Sequence, residues 1–573
     1  MTHRRIHASA AAAVTGGGLL TAAFLQAALA TADSGSDNSD TFTIGHLTFS
    51  DPTAMPGFMG GEPTPGFEHI SPLFATAPLM SIGYDTLLGS LPLGSQQFNI
   101  ADGGTALGTV DMSTNMQNLM GIETAQFTVT STHDDSGLSS AQAAELPADG
   151  TVYSITKIGD GFYNVYEAAP NSTGTAAASA TDTVVTPLGN FTLPTTWDAI
   201  AQLNPATALD ALGNTSGDTS LSSNAFTIDD TTFDPGKGGI SDSSLPVANF
   251  APWMTFEASE LNITGKGLPP TTQSFEVYGG NGTNEGSVQT ALFYSDLLGL
   301  HNTEITVGAV TPHGDATGLP TVGTVYSVTD LGLGFDNVYE AAPAAHGTGP
   351  STITDYLKTP FGDITIPTTF DAAAMNPAAP LAALETPSDT SGLSDNAFTL
   401  NGTTFDPGAA GFSTVSPLFG IAPLLEISGV TTVGHMLSQQ NLDVYHGGTN
   451  LGSVTVGEGL SNILGIDTTQ FTVVSTAAAS GLTAAEAAEL PTDGTVYSVT
   501  DFAKGWTNVY EAIPNAADTA ASHISDTLIT PFGDINLSSM FDAIAPLDAG
   551  DVVSGLDDAS SPTGFDLFDP STW

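Results

Sequence analysis

Apolar and polar positions alternate in short runs along this chain, and the clearest of these patterns occurs three times. It reads GTVYSIT, a loop and NVYEA from Gly150 to Ala168, then GTVYSVTDLGLGFDNVYEA from Gly323 to Ala341 and GTVYSVTDFAKGWTNVYEA from Gly494 to Ala512. Runs rich in β-branched and aromatic residues around a glycine-containing break predict a hairpin. A second hairpin opens each copy, at Phe42 to Phe49, Phe226 to Phe233 and Phe398 to Phe405. In the last of these, Asn401-Gly402 between two alternating runs predicts a type I′ turn.

The remaining signals also recur. Short amphipathic pieces run from Asn118 to Ile122, Asp296 to Leu300 and Asn462 to Ile466, and the strand-like runs at Gln126 to Thr130 and Gln470 to Val474 follow them. Thr483-Ala484-Ala485-Glu486 has the form of a capping box and predicts a short helix, as does Ser139 to Gln142; the middle copy has Leu319-Pro320 instead. Thr186-Pro187-Leu188-Gly189-Asn190, Thr359-Pro360-Phe361-Gly362-Asp363 and Thr530-Pro531-Phe532-Gly533-Asp534 predict tight turns between strands. Trp197-Asp198-Ala199, Phe370-Asp371-Ala372 and Phe541-Asp542-Ala543 look like helix starts.

Together these predict a mainly β fold, antiparallel and sandwich- or barrel-like, with short helices, in three tandem homologous domains. The limits expected are a leader over 1–32, a flexible linker over 33–40, repeat domains over 41–224, 225–396 and 397–560, and a tail over 561–573 that echoes a repeat opening. The repeat is far longer than a solenoid unit, so each copy reads as a self-sufficient domain.

The leader changes the picture. Arg4 and Arg5 precede an alanine-rich apolar run from Ala8 to Leu29, and both Ala28-Leu29-Ala30 and Ala30-Thr31-Ala32 fit a small-residue cleavage site. This is the pattern of a secretory signal, cut after Ala30 or Ala32. The expected location is therefore secreted or cell-envelope associated, and not transmembrane once the signal is removed.

Charge narrows the partners. There are 60 acidic residues against 7 Lys plus Arg, and after the leader only Lys157, Lys237, Lys266, Lys358 and Lys504 remain. Scattered lysines cannot displace counterions from phosphates, so nucleic acid is excluded as a partner, and anionic lipid should repel the chain. A neutral polymer or a protein partner on the cell surface fits better. The absence of cysteine rules out disulfides and thiolate chemistry.

Candidate chemistry rests on the recurring acids Glu167, Glu340 and Glu511, and Asp198, Asp371 and Asp542. Paired, they would serve as acid and base in an extracellular carboxylate-dependent hydrolase. Their simpler reading is a glutamate on a strand edge and an aspartate at a helix start. Asp135-Ser136-Gly137 matches an aspartic-protease signature, but no second loop of that kind is in register. His133 and His313 occupy roughly the same repeat position, where the third copy has Ala477, and no set of metal ligands has a recognised spacing. No cofactor is expected beyond weak calcium association at acid-rich loops such as Asp134-Asp135 and Asp229-Asp230. Trp506 aligns with Phe162 and Phe335, and Trp197 with Phe370 and Phe541; positions that accept either ring predict core packing. Trp253 has no counterpart and is a surface candidate. Nucleophile-elbow, Walker and dinucleotide motifs are absent.

The alanine-rich leader with Ala30-Thr31-Ala32, the NVYEA repeats and TPFGDI at Thr359 to Ile364 resemble the uncharacterised exported repeat proteins of mycobacteria and related actinobacteria. The resemblance implies an envelope or secreted location and carries no catalytic residue. The expectation is an acidic, non-enzymatic binding or structural module of the cell envelope.

Overall fold

The computed structural model describes residues between Thr41 and Leu556, apart from 55–66, 214–220, 241–244, 259–272, 345–350, 385–391, 413–418 and shorter gaps. The leader, the linker and the tail lie outside the described residues. Antiparallel strands in three curled half-barrel sheets dominate, as the alternating pattern predicts. Among the described residues, no helix is long and apolar enough to cross a membrane.

The first sheet sets the plan. β1 (Thr41–Ile44) and β2 (Leu47–Ala54) form the opening hairpin, and β3 (His69–Ile70) lies off the sheet. β4 (Pro72–Thr76) and β5 (Met80–Tyr84) form a second hairpin, and β6 (Thr86–Leu87) pairs with β7 (Leu91–Pro92). The meander then runs through β8 (Gln96–Asp102), β9 (Thr105–Leu119), β10 (Ile122–Asp134), β11 (Val152–Gly159), β12 (Phe162–Pro170), β13 (Ala177–Val185) and β14 (Phe191–Leu193). Strand order is β1-β2-β8-β9-β10-β11-β12-β13-β14. β9 is long enough for two partners: its first part pairs with β8 and its last part with β5. The other two sheets repeat this 11-stranded plan from Phe226 to Thr365 and from Phe398 to Asn536.

Each concave face holds the core of its domain, and the same three aromatic rings organise it. Phe42 stacks on Phe49 at 5.0 Å, and Phe49 meets Tyr153 edge-on at 5.5 Å. Phe226, Phe233 and Tyr326 repeat this, as do Phe398, Phe405 and Tyr497. The motif tyrosine of each GTVYS run is thus a core residue, which explains why the hairpin is written so similarly three times. The two capping boxes also form: Ser139 caps Ser140–Ala143 and Thr483 caps Ala484–Ala487.

The helix that covers each core comes from elsewhere. Ala206–Asp210 follows the first sheet in sequence, yet Ala208, Leu209 and Leu212 pack into the core of the second. Ala378–Leu381 follows the second sheet, and Leu381 and Leu384 pack into the third. Ala549–Val553 follows the third sheet and returns to the first, where Val552, Val553 and Leu556 join Phe127 and Tyr153. Leu547–Asp548 pairs there with β3, and the Tyr163 hydroxyl donates to Ser554 O at 2.6 Å. Two of the lysines hold the ends of these segments: Lys157 donates to Asp551 O at 3.1 Å and Lys358 to Leu212 O at 3.0 Å. The concave cores are therefore completed by exchange between repeats, and not by each repeat alone as its length suggests.

The second hairpins exchange in the opposite cyclic sense, each docking on the preceding domain. The turn after Phe250 places Ala251 on the convex face of the first sheet beside Val152, Tyr166 and Ala168. Ala422 takes the same position on the second sheet, and Ala77 takes it on the third. Each amide is received by an equivalent side chain: Ala251 N by Gln126 Oε1 at 3.0 Å, Ala422 N by Glu304 Oε2 at 3.3 Å, and Ala77 N by Gln470 Oε1 at 2.8 Å. Met80 and Ile82, Phe250 and Phe256, and Leu425 and Ile427 meet in one central cluster. The chain is a closed ring of three domains around a pseudo-threefold axis. Trp253, expected at the surface, instead packs against this cluster and donates to Thr156 Oγ1 at 3.0 Å, because it sits on a docked turn.

Candidate functional site

The structure separates the two sets of recurring acids by strand alternation. Tyr166 and Glu167 are neighbours on β12 and face opposite sides of the sheet. Tyr166 lies on the convex face, where its hydroxyl donates to Trp197 O at 2.8 Å and accepts from Ala199 N at 3.2 Å. The segment that carries Asp198 is thereby held on that face. Glu167 is in register with Tyr153, whose ring belongs to the concave core. Tyr339 and Tyr510 make the same pair of contacts, with Phe370 and Ala372 and with Phe541 and Ala543. Glutamate and aspartate are therefore not brought together as an acid–base pair in any copy.

The aspartates organise backbone. Asp198 accepts from Ala177 N on β13 at 2.8 Å, and from Ile200 N and Ala201 N at 2.9 and 3.0 Å. Asp542 accepts from Ala521 N, Ile544 N and Ala545 N, and Asp371 from Ser351 N and Ala373 N. The helix starts expected here do not develop, since the backbone after Asp198 forms only bends. A side chain shared between the turn and the next strand satisfies these amides, and the tyrosine hydroxyl engages the Trp197 carbonyl, so no helical ladder is needed.

The glutamates gather at the mouths of the half-barrels, against the turns of the opening hairpins. In the second domain Glu340 faces Asp229 and Tyr326, and Tyr356 meets the same Asp229. Burial, then the charge of Asp229, raises the Glu340 carboxyl above the usual glutamate range, and a hydrogen bond from Tyr326 opposes them. In the third domain Asn401 Nδ2 donates to Glu511 Oε2 at 2.6 Å, which ties the Asn-Gly turn to the far strand. Asn401 and Gly402 both have positive φ, as the predicted turn requires. In the first domain burial raises Glu167, and the nearby His46 pulls it down.

The first mouth differs from the others. His46, Asp102 and Glu145 bring three ligand atoms within 4.8 Å of one another, and His46 Nε2 lies 3.4 Å from Glu145 Oε2. Imidazole and two carboxylates form the donor set of a divalent-cation site, although His46 and Glu145 are exposed. The equivalents of His46 and Asp102 are Asp230 and Gly279, and Gly402 and His446, so the set is not repeated. Sequence reading missed it because its members lie far apart in the chain. It also missed a recurring buried pair on the convex face: Asn164 with Asp182 at 2.5 Å, Asn337 with Asp355 at 2.7 Å, and Asn508 with Asp526 at 2.5 Å. Burial raises each of these aspartates and the asparagine partly offsets it. The available signal was the Thr-Asp or Ser-Asp that recurs at a fixed distance after NVYEA.

The aromatic positions divide. Trp197, Phe370 and Phe541 pack on the convex clusters as expected. Phe162 and Trp506 do not enter the core, being 45% and 38% exposed. They sit on the β11–β12 turn and its third-domain equivalent, where a Phe or a Trp meets solvent. Two clefts among the described residues are small: one of about 180 Å³ lies between Leu381, Leu384 and Phe398, and one of about 120 Å³ lies at a seam beside Asp371 and Asp467. Both fall below the roughly 300–1,000 Å³ usual for small-molecule sites.

Comparison with protein-family models, with curated proteins and with solved structures finds no match to this chain.

Proposed function

We propose that the chain is an exported, acidic module of the cell surface or envelope that binds or organises a partner through three equivalent surfaces. The observation that carries this reading is the closed ring. It holds three copies of one surface at fixed spacing, and fixed spacing raises avidity for a repetitive partner that matches it. The leader pattern and the lack of cysteine support export. The placement of the six recurring acids supports binding over hydrolysis, because the aspartates hold turns and the glutamates close mouths.

The test is retention of the purified chain on insoluble cell-wall polymer and on extracellular-matrix protein. Glu167→Gln, Glu340→Gln and Glu511→Gln are introduced singly and together. A partner that uses the repeated mouths loses affinity stepwise with each change. Retention on neither material, together with release of the native chain only into the cytoplasmic fraction of its producing cells, overturns the reading.

A further inference from the structure

A second feature repeats in all three domains, and folding does not account for it. The Thr-Pro-(Leu/Phe)-Gly turn is built identically in each. Thr186 Oγ1 donates to Gly189 O at 2.8 Å and accepts from Leu188 N at 3.1 Å. Thr359 treats Gly362 and Phe361 in the same way, and Thr530 treats Gly533 and Phe532. The proline braces the neighbouring β11–β12 turn: a Cβ on Gly161, Gly334 or Gly505 would lie 3.0, 3.4 or 3.1 Å from Cγ of Pro187, Pro360 or Pro531. What this rigid pair of turns presents is an apolar side chain in water. Phe361 is 94% exposed, Phe532 is 90% exposed and Leu188 is 60% exposed. The exposed Phe162 and Trp506, and Ile364 and Ile535 on the edge strands, enlarge the patch. Among the described residues nothing covers it.

We propose that these three tips insert into a lipid surface that carries no net negative charge. Three observations favour lipid over protein. The tips are convex knobs, which a deformable hydrocarbon layer accepts without preformed pockets. They recur on one rigid ring, so shallow insertions reinforce each other. Charge selects the headgroup: the chain carries 60 acidic residues against 7 Lys plus Arg, an excess that Lys157, Lys358 and Lys504 do not offset. Such a net charge repels phosphate-rich anionic surfaces and tolerates a choline headgroup, whose outermost charge is positive. It also opposes pairing with a second copy, which would set like charges against each other. The surface-module reading supplies only the location; the chemistry stands on the tips.

Flotation of the full-length protein with phosphatidylcholine vesicles tests this without any wall polymer, so it fails independently of the polymer result. The native chain is expected to float with phosphatidylcholine and far less with phosphatidylglycerol. Trp506 serves as the reporter: its emission shifts to the blue on binding, and Trp506→Phe removes most of that shift. The combined variant Leu188→Ser, Phe361→Ser and Phe532→Ser is expected to lower partitioning by about a hundredfold, since each tip loses most of a buried side chain. Its far-ultraviolet dichroism and melting point should match the native chain, because the substituted side chains are exposed. Three results would overturn the proposal: no flotation with phosphatidylcholine, equal binding to phosphatidylglycerol, or native-like binding by the triple variant. Sedimentation closes the last alternative, for a native dimer that the triple variant dissolves would assign the tips to self-association instead.

Discussion

The amide of Ala77 donates to Gln470 Oε1 at 2.8 Å, although the two residues are 393 positions apart. That bond joins the first domain to the third. Beside it the Thr76 and Ser461 hydroxyls lie 3.0 Å apart, fully buried. The other two seams link domains that already follow one another in the chain. This one turns a string into a ring.

Removing the acceptor leaves a buried amide unsatisfied. Gln470→Ala is expected to cost about 1–3 kcal/mol, and Gln126→Ala about the same at the first seam. Glu304→Gln converts the middle seam to the chemistry of the other two and should keep its bond to Ala422, whereas Glu304→Ala should not. Urea unfolding of the four variants measures this, and a Gln470→Ala protein as stable as the native chain would contradict the seam's role.

The returning C-terminal helix makes an unusual prediction about where damage appears. Leu556 is buried in the core of the first domain. Leu556→Ala should cost about 2–5 kcal/mol. Hydrogen exchange should accelerate in β10 and β11 before it does in Val496–Ala503 of the third domain, which is closer in sequence. Faster exchange confined to the third domain would show that the helix does not cover the first.

Glu340 gives a pH dependence with a definite sign. Burial, and then Asp229, lift its carboxyl above the ordinary range. As pH rises, the unfolded chain releases this proton first, so the group weakens the fold through that interval and the penalty is complete above its folded value. Glu340→Gln should therefore raise the melting temperature at about pH 7 and lose that advantage at about pH 4. Asp234 behaves oppositely. Burial pushes it up, but hydrogen bonds from Ser222 and Gly236 outweigh this and bring it below the usual range. Its stabilisation is present at neutral pH and is lost only as pH falls through that depressed value. A Glu340→Gln protein with the native pH profile would show the carboxyl to be unperturbed.

One glycine position tolerates nothing larger. Gly108, Gly286 and Gly452 follow a bulge in the long strand of each sheet, with positive φ, and a Cβ at Gly452 would lie 2.1 Å from Ala477 O. Gly452→Ala is expected to cost about 3 kcal/mol, near the upper end for single changes. Gly533, also at positive φ but open to solvent, should cost less on the same substitution. Equal melting points for the two variants would refute the steric account.

Much of this fold is local and therefore legible. The Asn401-Gly402 turn, the two capping boxes and the paired runs around each GTVYS motif are written in neighbouring residues, and each forms as read. The ring is not local. Its contacts fall on an alanine amide and a glutamine or glutamate side chain with no distinguishing sequence, and its covering helices dock one domain away from their place in the chain. The recurring acids were visible as letters, but only alternation along β12 separates Glu167 from Asp198. Phe162 and Trp506 show the limit of reading residue type: a Phe or Trp at a strand end fits a core, and only the closed turns reveal that it faces water.

The returning helix also bears on how such an architecture can grow. In an open array a further copy simply extends the end. Here the covering position on the first sheet is already filled by residues 549–556, and every convex face already carries a docked turn. A duplicated fourth unit would have to open an existing seam before it could join, so tandem duplication cannot lengthen such a protein as it lengthens an open array.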